Sequence, residues 1–288
     1  MCHNQEMKIL ILVWIGLLNV GCTVKKSANT NEGNSPPTIL SKKTEVENDG
    51  FKGRVKSVKV TEFKIEEKNG RQIKAQTSTI VTKYDKKGNK FEMLNFDSSG
   101  KIERKTTYKY NEKGLQTEQL SFEANGKTLL KINYKYDEKG NQTQQVYSSP
   151  SGIIFRKITH SNGGKIDQLF HDNGKIRSQT ISKFDEQEGF WTNEEVSYDR
   201  EGRAISQKGT RSAPGNPPRT IGKLDKRGLE VERLTYNYKR EIIRKHLFKH
   251  DGIGNPVKST IFTARTTNGE TRFVPISETS REFTYWDK

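Results

Sequence analysis

From about residue 80 onward, apolar and polar residues alternate in short runs. Ile102, Thr106, Tyr108 and Tyr110 fall on one side of the alternation, as do Leu130, Ile132, Tyr134 and Tyr136. Ile176, Ser178, Thr180, Ser182 and Phe184 fit the same frame. Period two in runs this short predicts strands, not helices. The positions between them carry Lys, Glu, Gln and Arg, as in "KIERKTT" and "LQTEQLS". One face of each strand therefore meets water, the pattern of an antiparallel sheet solvated on one side. No helical stripe runs through 51–288.

The runs are separated on a fixed ruler. Gly88 in "TKYDKKGNK", Gly114 in "YKYNEKGLQ" and Gly140 in "YKYDEKGNQ" are spaced by 26 residues. A second series, Gly100, Gly126 and Gly152, repeats at 26 and follows the first by 12. After an irregular middle, Gly202, Gly228 and Gly254 resume the spacing, with Gly215 near the second-turn place and Arg240 where another glycine is expected. In Asp-x-x-Gly the aspartate accepts backbone N–H groups at the start of the turn, and glycine takes the left-handed position. This is a type I turn closed by a glycine bulge, a common hairpin connection. Each unit is thus two strands and two tight turns.

Consecutive hairpins of this kind predict an all-β fold, an antiparallel meander of about fifteen strands or more. An open twisted sheet rarely exceeds ~10 strands without curling, splitting or closing. The expectation is a curled sheet or an incomplete barrel, with aromatics on its inner face. A transmembrane barrel needs an apolar outer band, and the charged off-face residues argue against one.

Composition bears on one question, order against disorder. Hydrophobic residues make up only 30% of the 288, charged residues another 30%, and mean hydropathy is −0.91. Such a chain risks disorder, but 10 Tyr and 13 Phe, many at periodic places, supply the surface a thin sheet needs. The N-terminus lies apart from this pattern. "MKILILVWIGLLNVGC" has one Lys, an apolar run from Ile9 to Leu18, and closes on Gly21-Cys22. The run is too short for a permanent membrane span. It resembles a bacterial lipoprotein signal, which implies cleavage before Cys22 and attachment of diacylglycerol to it. "LNVGC" departs from the usual box, with Asn19 where Leu is normal. Met7 is an alternative start to Met1. Cys2 falls in or before the removed segment, so the mature chain would hold no pair for a disulfide. Residues 23–50 are rich in Ser, Thr, Asn, Pro and charge, the composition of a flexible coil. The expected organisation is a signal peptide over 1–21, a lipid-anchored tether over 22–50 and a repeat domain over 51–288. The charges of the first fifty residues cancel, so the formal net charge of +16 belongs to the domain.

"YKYDEKGNQ", "TKYDKKGNK" and "SYDREGRAI" look like YD (RHS-type) repeats, found in many bacterial envelope and secreted proteins. "FKGRVKSVKVTEF" also resembles the opening of short envelope lipoproteins without assigned function. The likeness covers 80–150 and 198–256 well and the rest weakly. It implies a lipid-anchored envelope protein built of β-hairpins. The large RHS proteins enclose a toxin, and nothing here matches that part.

A search for chemistry finds little. His246 and His250 stand four apart, which on a strand leaves them ~13 Å from each other, too far to share an ion. His250, His160 and His171 read as substitutes for the repeat's tyrosine. Asp85, Asp97, Asp137, Asp199, Asp225 and Asp251 each begin a turn, so no catalytic pair stands out. No nucleophile motif or phosphate loop is present, and "GIGNP" runs into Pro256. The expectation is no catalytic residue, no metal and no cofactor. Trp191 and Trp286 are the candidates for stacking on a sugar ring. "GTRSAPGNPPRT" (209–220) breaks the repeat as a longer loop.

The functional expectation is a non-catalytic, lipid-anchored protein of the cell envelope that binds or scaffolds. Its charge favours an anionic glycan or lipopolysaccharide, with another envelope protein as a further partner; nucleic acid is disfavoured by location. Thr23 lacks the aspartate that retains lipoproteins at some inner membranes, which points to the outer membrane. The alternative is a carrier with an aromatic-lined cavity for an apolar ligand.

Overall fold

The structure, a computed structural model, describes residues 43–161, 163–185, 190–212, 219–237, 239–267 and 270–287. The predicted signal peptide, Cys22 and the tether up to residue 42 lie outside them, as does Gly215 of the 209–220 loop. In the compact unit Lys42–Lys288 the described residues are all-β apart from one helical turn, α1 (Glu45–Asn48). Its first strands are β1 (Val55–Lys68), β2 (Arg71–Tyr84), β3 (Lys90–Phe96), β4 (Ile102–Tyr110), β5 (Gln116–Glu123) and β6 (Thr128–Tyr136). Then come β7 (Gln142–Ser148), β8 (Ile154–Ser161), β9 (Gly164–Phe170), β10 (Ile176–Asp185), β11 (Phe190–Tyr198) and β12 (Ala204–Ser212). The last are β13 (Thr220–Leu224), β14 (Glu230–Tyr236), β15 (Ile242–His250), β16 (Pro256–Thr267) and β17 (Glu270–Tyr285).

The turns form as their residues dictate. In the β2–β3 turn the Asp85 amide donates to Asn89 O at 2.8 Å and the Gly88 amide to Asp85 O at 3.0 Å. Asp85 Oδ1 accepts from the amides of Lys87 and Asn89 at 2.8 and 2.9 Å. Asp97, Asp137, Asp199, Asp225 and Asp251 repeat this capture of backbone amides. Gly114 and Gly140 have φ of 69° and 85°, as the turn requires. Arg240 holds the corresponding place in the β14–β15 turn at φ 64°, where its Cβ is strained. The ladder slips by one residue at most such turns, for example between Lys83 and Tyr84 and between Lys109 and Tyr110. His171 departs from expectation. It occupies the aspartate's place at the start of the β9–β10 turn, its amide donating to Lys175 O, and not the tyrosine's place.

All seventeen strands belong to one antiparallel sheet that is not closed into a barrel. Each strand from β1 to β12 pairs with the next, and so does each from β13 to β17. The first strand also pairs with the last, from Val55↔Tyr285 to Lys64↔Ser277. Among the described residues the sheet therefore runs from β13 through β17 to β1 and on to β12, with β12 and β13 as its edges. Direction explains why these chain neighbours are not a hairpin. Alternating from β1, strand β12 runs opposite to β1; counting back from β17, which is antiparallel to β1, strand β13 also runs opposite to β1. The two edges point the same way.

The core lies at the β17–β1 junction. Val46, Val55, Val58 and Tyr84 are buried together, with Phe51, Val60, Phe283 and Tyr285 packed against them. Phe51 meets Phe283 edge-on at 5.1 Å between ring centres. Residues 43–50, expected to belong to a flexible coil, are part of this core. Thr44 and Glu47 form a capping box, with the Thr44 amide donating to Glu47 Oε2 at 2.7 Å. The Val46 amide donates to Gly88 O at 3.1 Å, and the Tyr84 hydroxyl donates to the Asp49 carboxylate. At the other side, Asn255 is fully buried. Its side chain accepts from the Lys52 amide at 2.6 Å and donates to Lys52 O at 2.9 Å and to the Tyr285 hydroxyl at 2.8 Å. The segment 43–54 thus ties the β2–β3 turn to the β15–β16 turn.

The register divides the sheet into two chemically distinct faces. One carries Val58, Thr82, Met93, Thr106 and Ser121 in successive register, with Tyr108, Tyr134 and Tyr136 alongside. Thr106 and Ser121 are buried and hydrogen-bonded to each other at 3.2 Å. The other face carries a repeating ion-pair motif. Glu92 lies between Lys83 and Lys105 at 2.7 and 2.8 Å, and Glu118 between Lys109 and Lys131 at 2.8 Å each. Hydrogen bonds from these lysines, Lys105 foremost for Glu92 and Lys109 for Glu118, hold both carboxyls below the usual range. In the next unit Gln144 takes the acid's place between Lys135 and Lys157.

Candidate binding grooves at the β2–β3 turn

Two adjoining grooves meet at the turn Asp85–Asn89. The first, about 470 Å³, is bounded by the turn, by Phe91 of β3, by Tyr108 and Tyr110 of β4, and by Asn111 of the next turn. The second, about 420 Å³, shares Asp85, Lys86 and Lys87 and extends over α1, Arg54 and Trp286. The 26-residue ruler makes the first groove: it stacks one turn beside the next and points the alternating aromatics of β3 and β4 to the same side.

The acids here are already committed. Asp85 is held by backbone amides, and Glu47 is held by the capping box with Thr44. Among the described residues, Lys86 and Lys87 are in no ion pair, although Arg54 donates to Asp287 O at 2.8 Å. Lys86 Nζ lies 5.8 Å and Lys56 Nζ 5.0 Å from the centre of the Trp286 ring, cation–π distances. Lys87 projects from the middle of the turn. Two buried donors in the grooves, the Tyr110 hydroxyl and the Trp286 indole Nε1, have no hydrogen-bond partner among the described residues. Such a group costs about 1–3 kcal/mol of unrecovered desolvation. Burial also pushes the Tyr108 and Tyr110 hydroxyls well above the ordinary tyrosine range, so both stay protonated donors. Cations, aromatic faces and protonated donors are thus gathered at one turn.

The two tryptophans singled out in the sequence are not brought together. Trp286 follows β17 and lies in the second groove, its amide donating to Arg54 O at 2.8 Å. Trp191 is on β11, 41% exposed, tilted against its register partner Phe184 at 5.2 Å. Lys86, Lys87 and Tyr110 were not singled out by sequence reasoning. Their signal was the doubled lysine inside "TKYDKKGNK", a turn whose counterparts at 112–113 and 138–139 pair Glu with Lys. His246 is on β15, its ring 4.1 Å from Phe248, and its pKa is lowered first by burial and then by Arg233. Among the described residues no three His, Cys, Asp or Glu side chains gather as metal ligands.

A family model described as "Uncharacterised protein" matches residues 60–188. No curated protein matches the chain. Among solved structures, a porin-like protein from Bacteroides uniformis is 12% identical, with 80% of this chain and 98% of that one covered at a TM-score of 0.38. A chain of the Photorhabdus luminescens Tc holotoxin pore is 11% identical; 69% of this chain covers 14% of that one, at a TM-score of 0.22. A Bacteroides fragilis protein of unknown function is 10% identical, covered over 62% and 91%, at 0.15. At these values the likenesses carry no information about what the chain binds.

Proposed function

We propose that this chain is a non-catalytic, lipid-anchored cell-envelope protein that binds an anionic glycan at the grooves around Lys86 and Lys87. The observation that carries the reading is the convergence of two lysines without an acidic partner among the described residues, Tyr108, Tyr110 and Trp286, on one turn whose own acids are engaged. The anchoring part rests on the apolar run ending at Gly21-Cys22 and on the likeness to YD-repeat envelope proteins. A carrier enclosing an apolar ligand is less favoured, because the sheet is open and the face lining the grooves is polar as well as aromatic.

The test titrates residues 42–288 against acidic and neutral glycans and lipopolysaccharide at low and physiological salt. Exposed charges are screened beyond ~10 Å at 0.1 M, so binding should be confined to acidic ligands, weaken with salt, and fall in Lys86→Ala/Lys87→Ala. Equal binding to neutral sugars, or none, contradicts the reading. For the anchor, Cys22→Ala should abolish acyl labelling; labelling that persists overturns that part.

A further inference from the structure

The two sheet edges lie apart from the grooves, neither of which is lined by β12 or β13. Strands β12 and β13 follow one another in the chain, yet among the described residues each has a ladder partner on one side only, β11 and β14. Every described residue from 201 to 210 and from 219 to 224 is exposed. The exposed set includes large apolar side chains: Ile205 is 67%, Leu224 60% and Ile221 43% accessible. An edge strand with unpaired N–H and C=O groups is a template for another strand, and proteins usually blunt it.

Direction limits what can fill the place. Because β12 and β13 point the same way, pairing them directly would put one parallel ladder in an otherwise antiparallel sheet. A single added strand, antiparallel to both, continues the alternation on either side. Charge narrows the occupant further. Residues 203–212 and 219–224 hold Arg203, Lys208, Arg211, Arg219 and Lys223 and no acid. Lys208 lies opposite Glu195 across the ladder and Lys223 opposite Glu232, so the inner neighbours have acids that the edges lack. A second copy bringing the same edge would set lysine against lysine, which disfavours self-pairing.

We infer that the β12 and β13 edges take up one extended, acidic segment of a partner protein by strand addition, its backbone supplying the hydrogen bonds and its acids meeting Lys208 and Lys223. The occupant is thus a peptide segment with carboxylates on both faces of the strand and apolar residues between them.

The probe is a fluorescent peptide of repeated Glu-Glu-Val-Thr, added to the full chain in detergent. Three comparisons decide the matter: the same peptide with alternate amides N-methylated, a Lys-Lys-Val-Thr counterpart, and the Lys208→Glu/Lys223→Glu variant. Binding should weaken about tenfold or more on N-methylation and on charge exchange, and the variant should prefer the lysine peptide. Far-UV circular dichroism of the variant should be unchanged, since both positions are exposed. No binding of the acidic peptide, or binding indifferent to N-methylation, overturns strand addition. A concentration-dependent dimer lost in the double variant would make the occupant a second copy and overturn the acidic partner.

Discussion

Two junctions of this sheet behave in opposite ways. At one, β17 meets β1 across more than two hundred residues of chain; the pair keeps one register from Ser57 to Lys64 after a slip between Val55 and Ser57, and Val46 of α1, Phe51 and the buried Asn255 pack beside it. At the other, β12 and β13 are separated by a few residues and do not pair among the described residues. Proximity in sequence therefore does not decide pairing here. Burial and strand direction do. Closing a long loop costs little more than closing a short one, since the entropy grows only logarithmically with length. Burying Val55, Val58, Val46 and Tyr84 repays that cost at roughly 1.5–3 kcal/mol for each large apolar side chain. The β12–β13 junction offers no comparable burial: all five residues of β13 are exposed.

The sharpest way to break the comparison is to weaken the closed junction. Tyr84→Ala removes a side chain with no exposed surface and should cost about 3–5 kcal/mol in denaturant unfolding. Leu224→Ala at the open edge should stay within about 0.5 kcal/mol. Similar costs at both places would show that the edges are buried in solution. Asn255→Ala should come next, at about 1–3 kcal/mol, because it strands the Lys52 amide and carbonyl. Its effect should appear as earlier unfolding of the β1–β17 region.

Turn geometry gives smaller, opposite-signed effects. Gly140→Val, at φ 85°, should destabilise by roughly 1–3 kcal/mol through backbone strain, whereas Glu138→Ala is near neutral. Arg240→Gly should stabilise by up to about 1 kcal/mol, because it relieves the left-handed conformation of a residue with a Cβ. A thermal shift of the wrong sign for Arg240→Gly would remove the β14–β15 turn from the repeat.

The least effect is expected from acid. Hydrogen bonds hold several turn aspartates below their ordinary value of 3.8: from Ser99 for Asp97, from the Asn141 side chain for Asp137, from the Arg203 amide for Asp199 and from the Leu229 amide for Asp225. A lowered native pKa means stability that is whole above 3.8 and lost as pH falls through the depressed values. Melting temperature should therefore be flat through the neutral range and drop only in strongly acidic solution. Asp137→Asn, which keeps an acceptor, should flatten that drop.

The local part of this fold was legible because each unit carries its own instructions. Asp-x-x-Gly names the turn, and the alternation of "YKY" with charged residues names the two faces. What was not legible depends on distant partners. Nothing near Val58 announces Phe283, and the shared direction of β12 and β13 emerges only when all pairings are counted around the sheet. The helical turn at 45–48 left a readable trace in Thr44-x-x-Glu47, a capping box hidden by the polar composition around it. The grooves were half visible. Trp286 stood out by type, but Lys86, Lys87 and Tyr110 acquire meaning only when adjacent turns are stacked side by side.

Hydrogen exchange followed by mass spectrometry tests the contrast between the two junctions most directly. Amides of β1 and β17 should be the slowest in the domain, opening only with global unfolding, while those of β12 and β13 exchange fastest among the strands. Protection of β12 and β13 equal to that of β1 in the isolated protein would contradict the open edges, and with them the place for an added strand.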